Sequence, residues 1–410
     1  MSHTKDNQII RYAYGSGLYG RNDQVILAGT PLLETEHQLF GNITKSLVEL
    51  VFHVFEYRHQ ANHGQFARDL GKSTSLIELL LSLYSKPIIS SILARADIVR
   101  TVDGFKIIEL NLGSQIGGMY YASLPRLAGI TQEHDALKGW SAHVMNRLDR
   151  NASMVFTDSV AGVAWMSPYC QQLSRELALH TGVDTPLVDC EAFSYRGGRL
   201  YAAGREVNAI YSWLSDHELY DGQARMQPLI QALQDGAANL IMSPLAPVFA
   251  DKGVFAQLWE MHQENSLSGD QSAFLKAHVP FTQWLERADI EWLRSEQQCL
   301  VIKPTDGYGG HGVVVGSEVS AQAWDTLIHE RMQQMECARH VVQVLALPRH
   351  QAVSIGRWDG TSVWADSHVI WGAFVQGGEY LGAYVRSKPC TGSLVINQGN
   401  GAAVGPVTIE

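Results

Sequence analysis

Residues 301–316, VIKPTDGYGGHGVVVG, set a lysine on an apolar run, follow it with four glycines within six positions and then add three valines. A Walker phosphate loop needs Lys followed by Ser or Thr after its last glycine, and then a helix whose N-terminal amides face the phosphates. Here Lys303 comes first, and β-branched runs flank the glycines on both sides. The segment therefore reads as a flap, two strands joined by a loop whose backbone amides can fold over a triphosphate. Lys303 reaches inward from the first strand, while Gly307, Gly309, Gly310 and Gly312 let the backbone approach phosphate closely. A long glycine-rich hairpin without a ligand satisfies the same pattern equally well.

Phosphoryl transfer needs carboxylates as well as a lysine, because magnesium must neutralise charge on the transferring group. Residues 95–111, RADIVRTVDGFKIIELN, supply them. Arg95 and Asp97 lie two apart, as do Glu109 and Asn111, so each pair occupies one face of its strand. Whether both pairs share a face depends on the turn. A three-residue loop at Val102, Asp103 and Gly104, with Gly104 left-handed, sets Asp97 opposite Glu109 and Arg95 opposite Asn111. A two-residue Asp-Gly loop splits them. In the first case Ala96, Ile98, Ile108 and Leu110 form a core surface behind the polar face. Surface ion contacts of little energetic worth are the competing reading, but carboxylates among Ile, Val and Phe are costly unless something pairs with them.

The bulk properties suit a soluble enzyme of small molecules. At 410 residues and 45.3 kDa the chain can build two or three subdomains around a cleft. Hydrophobic residues make up 46% and charged residues 18%, which excludes a disordered or fibrous chain. A formal net charge of -10 and the lack of a basic run argue against nucleic acid and anionic membrane as partners. The polar start MSHTKDNQII lacks the apolar core of a secretory signal, and no stretch is long enough to span a bilayer, so the expected location is cytoplasmic. Cys170, Cys190, Cys299, Cys337 and Cys390 show no C-x-x-C spacing and read as reduced, mostly buried thiols, none assigned to metal.

Along the chain, apolar residues recur at helical spacing from about Glu34 to Leu83, interrupted by Gly-Lys-Ser-Thr. His53, His59 and His63 in this region read as surface or boundary residues, because no third ligand joins the one-turn pair His59 and His63. From Met154 to about Trp213 strands alternate with a helix near Tyr169 to His180 and a hairpin turning at RGGR. A helix beginning near residues 251–262, a helix in AWDTLIHERMQQM and a strand in HVVQVLAL follow, and the tail is a meander turning at DG and GG. The expected class is α/β (α+β), in three segments: 1–140 with the hairpin, 141–250 as a central α/β unit, and 251–410 with the flap and meander.

The R-x-D and E-x-N pairs ahead of a K-P, glycine-rich flap resemble the ATP-grasp ligases, specifically the circularly permuted branch that includes the synthetase domain of glutathionylspermidine synthetase. The resemblance is diffuse and runs from about residue 70 to the C-terminus. It implies that Asp97, Glu109 and Asn111 hold magnesium, that Arg95 touches the transferring phosphoryl, and that Lys303 binds nucleotide phosphates. Lys252, in ADKGVFAQL, corresponds to a second phosphate-binding lysine, with a solvated lysine at a helix start as the alternative. Gln343 falls at the adenine-binding hinge, with plain core as the alternative, and Arg386 and Asn397 fall near the acyl phosphate.

Two departures stand out. IYSWL replaces the Tyr-Arg-Arg of relatives, and there is no room for an accompanying amidase domain. The implied activity is an ATP- and Mg2+-dependent carboxylate–amine ligase that joins amino-acid-like or small-peptide substrates through an acyl phosphate, releasing ADP and phosphate. The loop GSQIGGMYY adjoins the E-x-N strand and is a candidate entrance for one substrate. A small-molecule kinase using the same cradle and a non-catalytic nucleotide-binding protein remain open, as does a homodimer.

Overall fold

The computed structural model describes residues 2–29, 31–84, 86, 92–149, 152–333 and 339–409, and its class is α+β. A seven-stranded sheet is built around the long strand Ser362–Gln376. The spatial order is Gln351–Gly356, Val25–Gly29, Ala403–Pro406, Glu379–Pro389, Ser362–Gln376, Leu93–Thr101, Gly104–Leu112. Pairing of Gln351–Gly356 with Ser362–Gln376 closes the first five strands into a ring. Residues 367–376 are buried without interruption, as expected of a strand covered on both faces. On one side the helix Glu34–His53 packs Phe40 against Trp371 and Phe105, with ring centroids 5.7 and 5.0 Å away. The other side faces the candidate site.

Sheet pairing thus joins the first and last of the three sequence segments, since the hairpin at 93–112 and the C-terminal meander share one sheet. The central segment carries its own parallel sheet, ordered Asn239–Leu240, Ala209–Ser212, Met154–Asp158, Leu187–Asp189, beside the helix Val160–Thr181. That helix starts earlier than the expected Tyr169, because Ser159 accepts the Gly162 N–H at 3.3 Å and caps it. A third sheet, ordered Thr282–Trp284, His340–Val344, Leu300–Pro304, Val314–Val315, carries the flap. Val301 pairs with Val315 and Ile302 with Val314, so the glycines join two antiparallel strands as expected.

The helical region is more broken than its apolar spacing implies. After Glu34–His53 the chain makes a π turn at Val54–Arg58, reverses through Gln60 and Ala61 at φ 50 and 54°, and restarts at His63–Asp69 and Thr74–Ser82. His59 and His63 therefore do not share a helix face. His59 is buried against Phe66 and 2.9 Å from Gln257 Oε1, instead of lying at a boundary. The helix Ser2–Gly15 and strand Val25–Gly29 were not anticipated; QVILAG is the apolar run that signals the strand.

Of the four described cysteines, all free, Cys170 and Cys190 are buried, Cys390 is half-buried and Cys299 is exposed; Cys337 lies outside the described residues. Cys299 departs from the expected burial because it closes a short 3-10 turn before the strand Leu300–Pro304. Among the described residues, no helix is long and apolar enough to cross a membrane.

Candidate active site

The hairpin sets Arg95 opposite Asn111 and Asp97 opposite Glu109, so the four polar side chains share one face. The route differs from the three-residue loop expected. Thr101 pairs with Gly104 across a two-residue turn, and this register continues to Ile98 opposite Ile107. Left alone it would pair Asp97 with Ile108 and split the polar set between faces. A bulge between Asp97 and Ile98 absorbs one extra residue, Ile108, and restores the facing. Ile107 consequently takes the core position expected for Ile108, while Ile108 lines an inner cavity.

Asp97 is 3% exposed and holds two cations. Its Oδ1 accepts from Arg95 Nε at 2.9 Å, and its Oδ2 lies 2.7 Å from Arg386 Nη2. Burial pushes its carboxyl up, but Arg386 and Arg95 outweigh this and hold it below the usual carboxylate range. Both Asp97 oxygens are thus engaged by guanidinium groups, a different first partnership from the metal ligation implied by resemblance. The Tyr384 ring lies 5.7 Å from the Arg95 guanidinium and 5.5 Å from that of Arg386, giving the cluster an aromatic wall.

Lys303, 8% exposed, donates to Gln343 Oε1 at 2.7 Å and to the carbonyl of the bulged Ile108 at 3.1 Å. Burial pulls its ammonium down to about 8, with Glu109 opposing and Lys252 adding to the shift. Gln343 is buried, and its amide also donates to Thr282 Oγ1 at 2.9 Å. Lys252 stands at the start of the helix Gly253–Gln263; it pairs with Glu109 Oε1 at 3.0 Å and donates to the Gly307 carbonyl at 2.5 Å. The Asn111 amide donates through its nitrogen to the Arg95 carbonyl at 3.4 Å, which turns its oxygen away from that strand. The Asn397 side chain accepts the Gly399 N–H at 2.8 Å.

Flap residues Gly309, Gly310 and Gly312 have φ of 65, 76 and 72°. A Cβ on Gly310 would stand 2.6 Å from Val395, so only glycine lets the loop approach the segment leading to Asn397. The flap root is tied down by charges that the sequence reading missed. Asp306 lies 3.2 Å from Lys72 Nζ and 3.4 Å from His217 Nε2, and Lys72 is 3.7 Å from the buried Asp251. Burial pushes Asp306 up, yet Lys72 and then His217 bring it below its ordinary value. Lys72 belongs to the Gly-Lys-Ser-Thr stretch read only as a helix break. A carboxylate immediately before the first flap glycine was the available signal for Asp306.

Two cavities meet at these residues. An inner slot of ≈ 120 Å³ is walled by Val99, Ile108, Val301, Leu345, Ile370 and Ile396, with Lys303, Gln343 and Asp97 on its polar side. An outer cleft of ≈ 1270 Å³ runs past the loop at residues 115–121 to Asp158, Trp213 and Asp216. Arg95, Glu109, Asn111, Lys252, Gly307, Gly309, Arg386 and Asn397 line both. Gly310 lines the inner slot, and Gly312 lines neither. Eight of the expected residues therefore stand at the neck between two compartments, while Asp97, Lys303, Gln343 and Gly310 lie on the inner slot alone and Gly312 lies outside both. The loop anticipated as an entrance is anchored to the central unit, where Gln115 donates to the Leu214 carbonyl at 2.5 Å. Trp213, at the departure from Tyr-Arg-Arg, lines the outer cleft.

The architecture is that of a glutathione synthetase-like fold. In particular, the chain is similar to a glutathione synthetase-like effector from Globodera pallida in apo form, with a TM-score of 0.61 and 12% identity over 99% of this chain and 96% of that one. A stretch of 178 residues is 28% identical to a putative glutamate–cysteine ligase from Frankia alni, covering 40% of this chain and 18% of that protein. The match thus involves less than a fifth of that relative's length. No family model matches the chain.

Proposed function

We propose that the chain is an ATP-dependent ligase that activates a carboxylate as an acyl phosphate and joins it to an amine, releasing ADP and phosphate. Amino-acid-like or small-peptide substrates suit the wide outer cleft, whose lining mixes charged and aromatic side chains. The observation that carries this reading is the neck, where paired cations, a carboxylate and a carboxamide stand between an apolar slot and a wide cleft. The two similar proteins, named a glutathione synthetase-like effector and a putative glutamate–cysteine ligase, both belong by name to amide-forming chemistry and support it.

The slot suits a flat heteroaromatic ring, with Lys303 and Gln343 at its polar side and phosphates leading outward along the flap. Glu109 and Asn111 fit a magnesium ion, which takes few carboxylates together with phosphate oxygens. When bound, it neutralises charge on the transferring phosphoryl. Lys252 neutralises Glu109 and is positioned to turn to phosphate once Glu109 serves a cation. Arg95 and Arg386, oriented by Asp97, stabilise the charge that develops when a carboxylate attacks from the cleft and when the amine displaces phosphate. The flap shields the acyl phosphate from water.

A screen of amino-acid pairs for ADP release, with products read by mass, tests the reaction. Oxygen-labelled carboxylate then decides the class, since a ligase passes one labelled oxygen into phosphate. ADP release without that transfer, with a phosphorylated hydroxyl as product, would make the chain a kinase.

A further inference from the structure

A second cluster of ligand-type side chains sits where the seven-stranded sheet meets two loops. His350, His368 and Cys390 each place one ligating atom within 4.8 Å of the others. His350 Nδ1 lies 3.4 Å from Asp366 Oδ2, and the Cys390 thiol hydrogen-bonds the same carboxylate. The two imidazoles meet edge-on with centroids 4.9 Å apart. His368 is 5% exposed, and its Nδ1 is a buried atom with no hydrogen-bond partner among the described residues. A buried polar atom left without a partner is costly, so this nitrogen calls for a ligand.

We propose that His350, Asp366, His368 and Cys390 form a zinc site. Two imidazoles, a thiolate and a carboxylate are the ligand types that take zinc tetrahedrally, and the mix of nitrogen and sulfur disfavours magnesium or calcium. The thiol gives up its proton to solvent on binding. Local spacing links only Asp366 and His368, two apart on one strand face, and ties neither His350 nor Cys390 to them, so the sequence assigned no cysteine to metal. Strand pairing assembles them. Gln351 pairs with Ser367 and Ser367 with Pro389, which brings the residues beside these positions to one place.

The site has a structural consequence for the inner slot. His350 ends the segment after the strand His340–Val344, in which Leu345, Ala346 and Pro348 line the inner cavity. Cys390 opens the loop in which Leu394, Val395 and Asn397 line the same cavity. A zinc ion here clips both walls to the strand Ser362–Gln376. This inference stands apart from the ligase reading and does not depend on it.

The test uses the full chain, stripped with chelator and titrated with Zn2+ in the absence of nucleotide. We expect one equivalent bound with a rise in Tm, and a thiolate-to-metal charge-transfer band when Co2+ replaces zinc. Cys390→Ser should abolish that band and weaken zinc binding by at least about tenfold. His350→Ala, at an exposed ring, should weaken binding similarly while leaving the metal-free Tm unchanged, and Glu109→Gln should bind zinc as the parent does. Substoichiometric zinc, a cobalt spectrum without the thiolate band, or unchanged affinity in both Cys390→Ser and His350→Ala would overturn the site.

Discussion

Arg386 and Asp97, from opposite ends of the chain, meet at 2.7 Å across the strand Ser362–Gln376. Gly372 makes room for this cluster. It pairs with Asp97 on one side and Tyr384 on the other, and a Cβ there would stand 2.2 Å from the Tyr384 ring and 3.0 Å from Arg95 Cδ. The cluster depends on an absent side chain as much as on the charges present.

Removing the central charge tests the cluster directly. Asp97→Asn leaves two buried guanidiniums facing each other, and loss of one partner of a buried ion pair costs about 3–5 kcal/mol. Denaturant unfolding should show a midpoint shift of that size. A loss under about 1 kcal/mol would mean that Asp97 does not organise the two arginines.

Gly372→Ala probes the packing alone. The added methyl overlaps Tyr384, and overpacking in a closed strand costs about 1–3 kcal/mol. We expect a lower Tm together with lost ADP release, because Tyr384 and Arg95 must both move.

Lys303 predicts a pH dependence of ATP affinity. Burial pulls its pKa down to about 8, so the free protein loses this cation as pH rises through that value, whereas phosphate binding requires it charged. Affinity measured by calorimetry should be flat below pH 7 and fall above about 8, by up to tenfold per pH unit. Lys303→Arg should remove the fall, since a guanidinium stays protonated throughout.

Glu109→Gln removes a neck carboxylate that pairs with Lys252 instead of a guanidinium. ADP release should drop by about 100-fold or more, and added Mg2+ should no longer tighten ATP binding. Persistence of Mg2+-dependent tightening would place the ion elsewhere.

His37 contributes to acid stability. Burial lowers its pKa to about 4, with the neighbouring His134 adding to this and Glu34 opposing it; the Tyr380 ring packs against both imidazoles. The unfolded chain binds this proton near pH 6.5 and the folded chain only near 4, so stability present above pH 6.5 is lost as pH falls between those values. The loss reaches about 3 kcal/mol at most. Urea midpoints measured from pH 7 to 4 should follow this window, and His37→Gln should make the fall shallower.

The amino-acid sequence alone determined the local facts of this site. Period-two spacing put Arg95 beside Asp97 and Glu109 beside Asn111, and β-branched flanks around Lys303 and the glycines defined a flap between two strands, because side-chain alternation and strand preference are properties of neighbouring residues. Facing of the two pairs was also anticipated, though a bulge at Ile108 achieves it where a longer turn was expected; a bulge responds to what packs on each face, which neighbouring residues do not encode.

Tertiary structure decided the rest. Arg386 reaches Asp97, Lys72 reaches Asp306, and His350 joins His368 and Cys390 only through pairings between distant strands and helices. Such partners carry no signature in local spacing, because their proximity follows from how sheets assemble and bury their faces.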